Sequence, residues 1–147
     1  MATRRLLCTF TRDNLLCGID VERVQEVLRY REMTDVPLAP PEVSGLINLR
    51  GQIVTAVDLR CRLGLAPLCD GRLPMNIVAR TGDGMVSFLV DEILDVLDVT
   101  ETEFEPAPEP LGDLLKSLVL GVYKLDKRLL LLLDTDRLLD IDCAAEA

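Results

Sequence analysis

Histidine and tryptophan are absent from the 147 residues, and aromatic side chains make up only 3% of them. Without His the chain lacks the commonest general base and metal ligand, which argues against an enzyme. Ser stands only at 44, 87 and 117, outside any Gly-x-Ser-x-Gly elbow, and no glycine-rich phosphate loop is present. The cysteines, Cys8, Cys17, Cys61, Cys69 and Cys143, are odd in number and none is spaced C-x-x-C. That pattern disfavours a metal site and a disulfide framework and suits a reduced, cytoplasmic setting. Cys8 and Cys17 fall within apolar strands and read as small core residues, while Cys69 lies in a loop. No apolar run reaches the ~18 residues that span a membrane. The N-terminus meets Arg12 and Asp13 too soon for a signal peptide and reads as a first strand. A formal charge of −9 repels phosphate backbones and disfavours nucleic acid. Carboxylates gather at Asp91, Glu92, Asp95 and Asp98, and at Asp134, Asp136, Asp140 and Asp142. The second group lacks the spacing and glycine of a calcium loop. Helix capping and solvated faces account for both, so neither a metal nor a cofactor is expected.

Apolar residues make up 49% of the chain, so its core is built from Leu, Val and Ile. The most informative stretch runs from Val43 to Arg60. Residues 46–49 and 53–57 are strand-length apolar runs, and Arg50-Gly51 supplies the turn between them. Asp58 caps a short helix over 59–65, with Gly64 as its stop. An Arg at the tip of a rigid hairpin is held in place, which makes Arg50 the first candidate for partner contact.

Elsewhere, strands are expected at 6–11 and 15–19 around Asp13-Asn14, followed by a brief helix at 21–24 capped by Asp20 and an extended segment at 25–30. Pro37, Pro40 and Pro41 make 31–42 irregular. Residues 66–74 mark a boundary between halves. A hairpin at 75–80 and 85–90 follows, then a turn at Asp91, a strand at 94–99 and an acidic, proline-rich loop at 101–110. The last hairpin spans 118–125 and 129–133, and Asp134 caps a helix ending at Leu139.

These elements repeat. Gly45 and Gly121 are 76 apart, as are Asp58 and Asp134, while Asp20 and Asp91 are 71 apart. Each copy reads hairpin, turn at Asp, extended segment, loop, second hairpin, short helix. About five short strands per half, joined by hairpins, predict two small β-barrels. The halves run approximately over 6–65 and 75–142 within one domain of residues 1–147 and are expected to share apolar surface; packing can exchange strands between them. A groove between two convex barrels is a place for a partner helix.

Residues 45–60, Gly-Leu-Ile-Asn-Leu-Arg-Gly-Gln-Ile-Val-Thr-Ala-Val-Asp-Leu-Arg, resemble the signature of the CheW family of chemotaxis coupling proteins. Residues 18–27 and 88–96 resemble two further hallmarks, and the match runs in order over 6–142. The resemblance implies a mainly β fold of two SH3-like five-stranded barrels packed together with short capping helices. It implies a non-catalytic adaptor that bridges the chemoreceptor cytoplasmic tip to the regulatory domain of the histidine kinase CheA. Such a protein is cytoplasmic and recruited to membrane receptor arrays. By motif position, Val24, Glu26, Val27 and Arg50 correspond to receptor-contacting positions, with Met75 and Val86 on the same side. Met33, Thr34 and Gly45 are the kinase-side candidates, Gly45 through the room its backbone needs. Thr55 stands where many family members carry Pro. The alternative is a structural array component of a non-flagellar pathway that binds kinase, and other CheW-like copies in array rings, but no receptor. With 147 residues there is no room for a receiver domain, and kinase signatures are absent.

Overall fold

The computed structural model of the protein describes residues 5–12, 15–64, 73–81, 84–100, 102–109, 112–125 and 128–139. The turn dipeptides Asp13-Asn14, Gly82-Asp83 and Asp126-Lys127, most of the 66–74 boundary, Cys69, Cys143, Asp140 and Asp142 lie outside the described residues.

Eleven strands and a few short helices are described. The N-terminal part carries β1 (Leu6–Arg12), β2 (Leu15–Asp20), a 3₁₀ turn (Val21–Arg23), β3 (Val24–Leu28), β4 (Val43–Leu49), β5 (Gln52–Asp58) and α1 (Leu59–Arg62). The C-terminal part carries β6 (Met75–Thr81), β7 (Gly84–Val90), β8 (Glu92–Asp98), β9 (Phe104–Glu105), α2 (Asp113–Leu118), β10 (Val119–Lys124), β11 (Leu129–Leu133) and α3 (Thr135–Leu139). The caps follow their carboxylates. Asp20, Asp58 and Asp134 accept backbone N–H bonds from Glu22, Arg60 and Asp136, respectively, at 2.9–3.1 Å. Two features differ from the sequence reading. The 101–110 segment contains the two-residue strand β9, and α2 follows it where no helix was expected. Asp113-Leu-Leu-Lys-Ser-Leu is too short to display a helical period, and Gly112, at its N-cap, makes no side-chain cap bond.

The strands form two sheets. One has the order β8-β1-β2-β11-β10-β9 and the other the order β3-β6-β7-β5-β4. Hairpin β1-β2 therefore lies among C-terminal strands, and hairpin β6-β7 among N-terminal ones. Each hairpin meets its neighbour in parallel, β2 beside β11 and β7 beside β5. β9 adds a sixth strand to the first sheet, and its counterpart in the second is a single bridge between Thr34 and Leu46. The two sheets share a further detail. A bulge interrupts β4 between Val43 and Gly45, and another interrupts β10 between Val119 and Gly121. A Cβ on Gly45 would lie 2.7 Å from the Thr34 carbonyl oxygen. One on Gly121 would lie 2.6 Å from that of Glu105, under the Phe104 ring. At both places only glycine lets the crossing strap approach.

Strand alternation sorts the core into three layers. Between the sheets lie Phe10, Cys17 and Ile19 from β1 and β2, Ile77, Phe88 and Val57 from the second sheet, and Leu131 and Leu133 from β11. On the far side of the first sheet Leu7, Leu16, Leu130 and Leu132 pack with Tyr123. Behind the second sheet Ile47, Leu49, Val54 and Val78 pack together. The five-Leu run of β11 is thus a strand buried on both faces from Leu130 to Leu133, its odd and even residues serving different layers.

The chain passes between sheets at two short corners, Asp20–Arg23 and Asp91. The Asp91 carboxylate receives Arg60 Nε at 3.1 Å and Nη2 at 2.7 Å, with both side chains under 8% exposed. This fork ties α1 to the corner between β7 and β8. Replacing Asp91 by Ala removes the bidentate partner of a buried guanidinium and is expected to cost about 3–5 kcal/mol in urea unfolding. Burial also pushes the Cys8 thiol above its ordinary value. The native state then holds that proton more tightly than the unfolded chain, so it loses stability as pH rises through the unfolded thiol pKa of ~8.5. Thiol labelling at pH 8 is expected to modify Cys8 only at the rate of unfolding, and faster labelling would show an open core.

Candidate functional site

The site begins at the β4-β5 turn. Arg50 has φ +53° and Gly51 φ +87°, so both central residues are left-handed, the geometry of a two-residue turn that matches strand twist. Asn48 Oδ1 accepts the Gly51 N–H at 2.9 Å and fixes the turn. Arg50 thereby projects from the hairpin tip with 70% of its side chain exposed, and its Nη2 lies 2.6 Å from Glu26 Oε2. The Glu26 carboxylate holds the guanidinium above its ordinary pKa, by hydrogen bond first and charge second.

That contact spans the second sheet. Glu26 pairs with Val78, Val78 with Ser87, Ser87 with Ala56 and Ala56 with Gly45. Four strand spacings in a flat sheet would separate β3 from β4 by about 19 Å. An ion pair between the β4-β5 tip and β3 therefore requires the sheet to curl until its edges approach. Glu26 Oε1 is buried and has no hydrogen-bond donor among the described residues.

The neighbouring row carries apolar side chains. Val24, Ala79, Val86 and Thr55 follow one another across β3, β6, β7 and β5. This row leads into a groove of about 280 Å³ walled by Val43, Thr55, Val57, Met85 and Val86, with Thr81 and, from α3, Leu139 completing it. The structure thus brings together Glu26 and Arg50 directly, and Val24 and Val86 through one row. Val27 is 46% exposed, whereas Val86 is buried at the groove wall. Met75 pairs with Val90, several rows away, and packs against the inter-sheet core. Met33, Thr34 and Gly45 also converge. Thr34 exchanges two 2.8 Å backbone bonds with Leu46, and a Cβ on Gly45 would lie 3.0 Å from Met33 Cβ. Sequence reading missed Thr81, at the end of β6, and Leu139 as groove residues, and for Leu139 nothing local signals that α3 returns to the other sheet. Among the described residues no three Asp, Glu or Cys side chains converge to hold a metal ion, and no helix is long and apolar enough to cross a membrane.

Glycine suits the left-handed backbone at position 50, which offsets the loss of an ion pair whose Arg50 side is exposed. Arg50→Gly is therefore expected to leave the melting temperature nearly unchanged by calorimetry. A large fall would show that the pair is needed for the sheet to close.

A family model described as a CheW-like domain matches residues 6–143. A probable chemotaxis protein CheW from Rhizobium etli is 32% identical over 135 residues, covering 92% of this chain and 86% of that protein. The chemotaxis protein CheW of Klebsiella aerogenes is 35% identical over 130 residues, covering 88% and 78%. The crystal structure of the scaffolding protein TtCheW from Thermoanaerobacter tengcongensis superposes with a TM-score of 0.85 at 25% identity, covering 96% of both chains. The fold, the repeat and the hairpin signature agree with these matches, and the chain belongs to the CheW family.

Proposed function

We propose that this chemotaxis scaffold couples chemoreceptors to the histidine kinase CheA without catalysing a reaction. The observation that carries the reading is the pairing of a positioned charge with an apolar groove. Arg50 meets Glu26 at the middle of β3, and the Val24–Val86 row leads from that strand into the groove. A receptor tip is a helical hairpin, and an apolar helix face laid in the groove meets Val24, Val27 and Val86. Arg50 has further donors facing solvent. A charge held at the hairpin tip sets the register of the docked helix more than its affinity. Met75 sits at the far end of this surface and contributes least.

The kinase regulatory domain meets a separate corner at Met33 and Thr34, the strap that Gly45 admits against β4. The protein works in the cytoplasm and reaches the membrane through its receptors.

A titration of the purified protein against a receptor-tip fragment and the kinase regulatory domain from the same genome tests the reading. Both are expected to bind, and Arg50→Ala is expected to weaken the receptor about tenfold while sparing the kinase. Binding of the kinase alone would favour the structural array component. Binding of neither would overturn the adaptor reading.

A further inference from the structure

Among the described residues, Leu139 is the one groove residue that does not come from the second sheet. It ends α3, which follows β11 of the first sheet, whereas the other walls belong to β4, β5, β6 and β7. The groove therefore exists only if α3 is held at a set position against the opposite sheet. Its five residues are too few to hold themselves, since the last carbonyls of a helix have no partner within it.

Those carbonyls are taken by α1. Arg62 Nε donates to the Leu138 carbonyl at 2.9 Å, and Arg62 Nη2 donates to the Arg137 carbonyl at 2.8 Å. The two bonds fall on the residues immediately before Leu139. A guanidinium presents these donors in one rigid plane, so it fixes the orientation of the helix end as well as its distance. Arg62 itself is anchored through α1, which continues directly from β5, the strand that supplies Thr55 and Val57 to the groove. Leu138 is buried in the inter-sheet core and holds the helix against it without setting the direction of its last turn, and two weaker polar ties act on the same helix. Arg137 Nη1 donates to the Ser117 carbonyl at the end of α2, and Arg23 forms an exposed pair with Asp136. Neither reaches the end of α3 beside Leu139.

We propose that Arg62 is a positioning residue for the groove: by gripping the carbonyls of Arg137 and Leu138 it sets Leu139 as the wall opposite Val86. Its effect on binding rests on the groove being the receptor site proposed above, but its effect on the groove does not.

The test uses the full-length chain with Arg62→Met, Arg62→Lys, Leu139→Ala and the double variant Arg62→Met/Leu139→Ala. Methyl NMR of Leu139 and Val86 in the free protein reads the groove directly. Titration with the receptor-tip fragment reads its use, and titration with the kinase regulatory domain serves as control. Arg62→Met keeps the aliphatic stem and removes the fork. It is expected to shift both methyl signals and to weaken tip binding about fivefold, with kinase binding unchanged. Arg62→Lys is expected to fall between, because an ammonium retains the charge but not the planar pair of donors. In the Leu139→Ala background Arg62→Met is expected to add little further loss. Unchanged methyl signals, additive losses, or equal losses towards both partners would overturn the proposal. Shifted methyl signals in a protein whose wild type does not bind the tip would support the positioning role and remove the receptor reading instead.

Discussion

Each sheet is completed by a hairpin from the other end of the chain, and most of the structure follows from that exchange. Hairpin β1-β2 cannot leave the first sheet without opening the second, because β2 runs on through a three-residue turn into β3. Hairpin β6-β7 is bound in the same way through Asp91 to β8. The layer between the sheets is consequently shared, with Phe10 and Phe88 among its largest members, and neither sheet has a complete core of its own. The buried Arg60–Asp91 fork sits at one of the two corners where the exchange is made. There the desolvation of both ions is met by bidentate geometry.

The candidate surface is a consequence of the same exchange. Curling of the second sheet brings the β4-β5 tip to β3, so Arg50 meets Glu26 although the two belong to opposite ends of the strand order. Packing of the first sheet delivers α3 to the open face of the second and makes a groove out of a sheet surface. Charge and apolar wall are thus supplied by different long-range contacts that converge on β3 and its neighbours.

This explains which parts were legible in the sequence. Asp20, Asp58 and Asp134 announce their caps because capping is local, and the Arg50-Gly51 turn announces itself because positive φ favours glycine. The 71- and 76-residue offsets revealed two related units. The Thr34–Leu46 and Glu105–Val122 contacts keep both offsets in space. The Arg50–Glu26 contact, the burial of Val86 and the return of Leu139 were not legible as geometry, since each depends on sheet curvature or on packing between sheets. The helix α2 was missed for a different reason: six residues without a side-chain cap bond carry too little periodic signal.

The repeat also shows how one scaffold acquires a single charged handle. Glu26 pairs with Val78 in the second sheet, and the matching pair in the first is Leu97 with Leu7, each member displaced by 71. Arg50 has Asp126 as its counterpart 76 residues on. A Leu and an Asp cannot reproduce the Glu–Arg contact, so the repeat does not carry this ion pair into the first sheet. At the corners the polarity is inverted instead of lost. Asp91 receives Arg60, while at the corresponding corner Arg23 reaches Asp136, the residue that replaces Arg60 in the repeat. The first of these pairs is buried and bidentate, and the second is exposed. Backbone symmetry therefore fixes two similar sheets, and the placement of a few charges decides which edge carries the Arg50–Glu26 pair and which corner is locked.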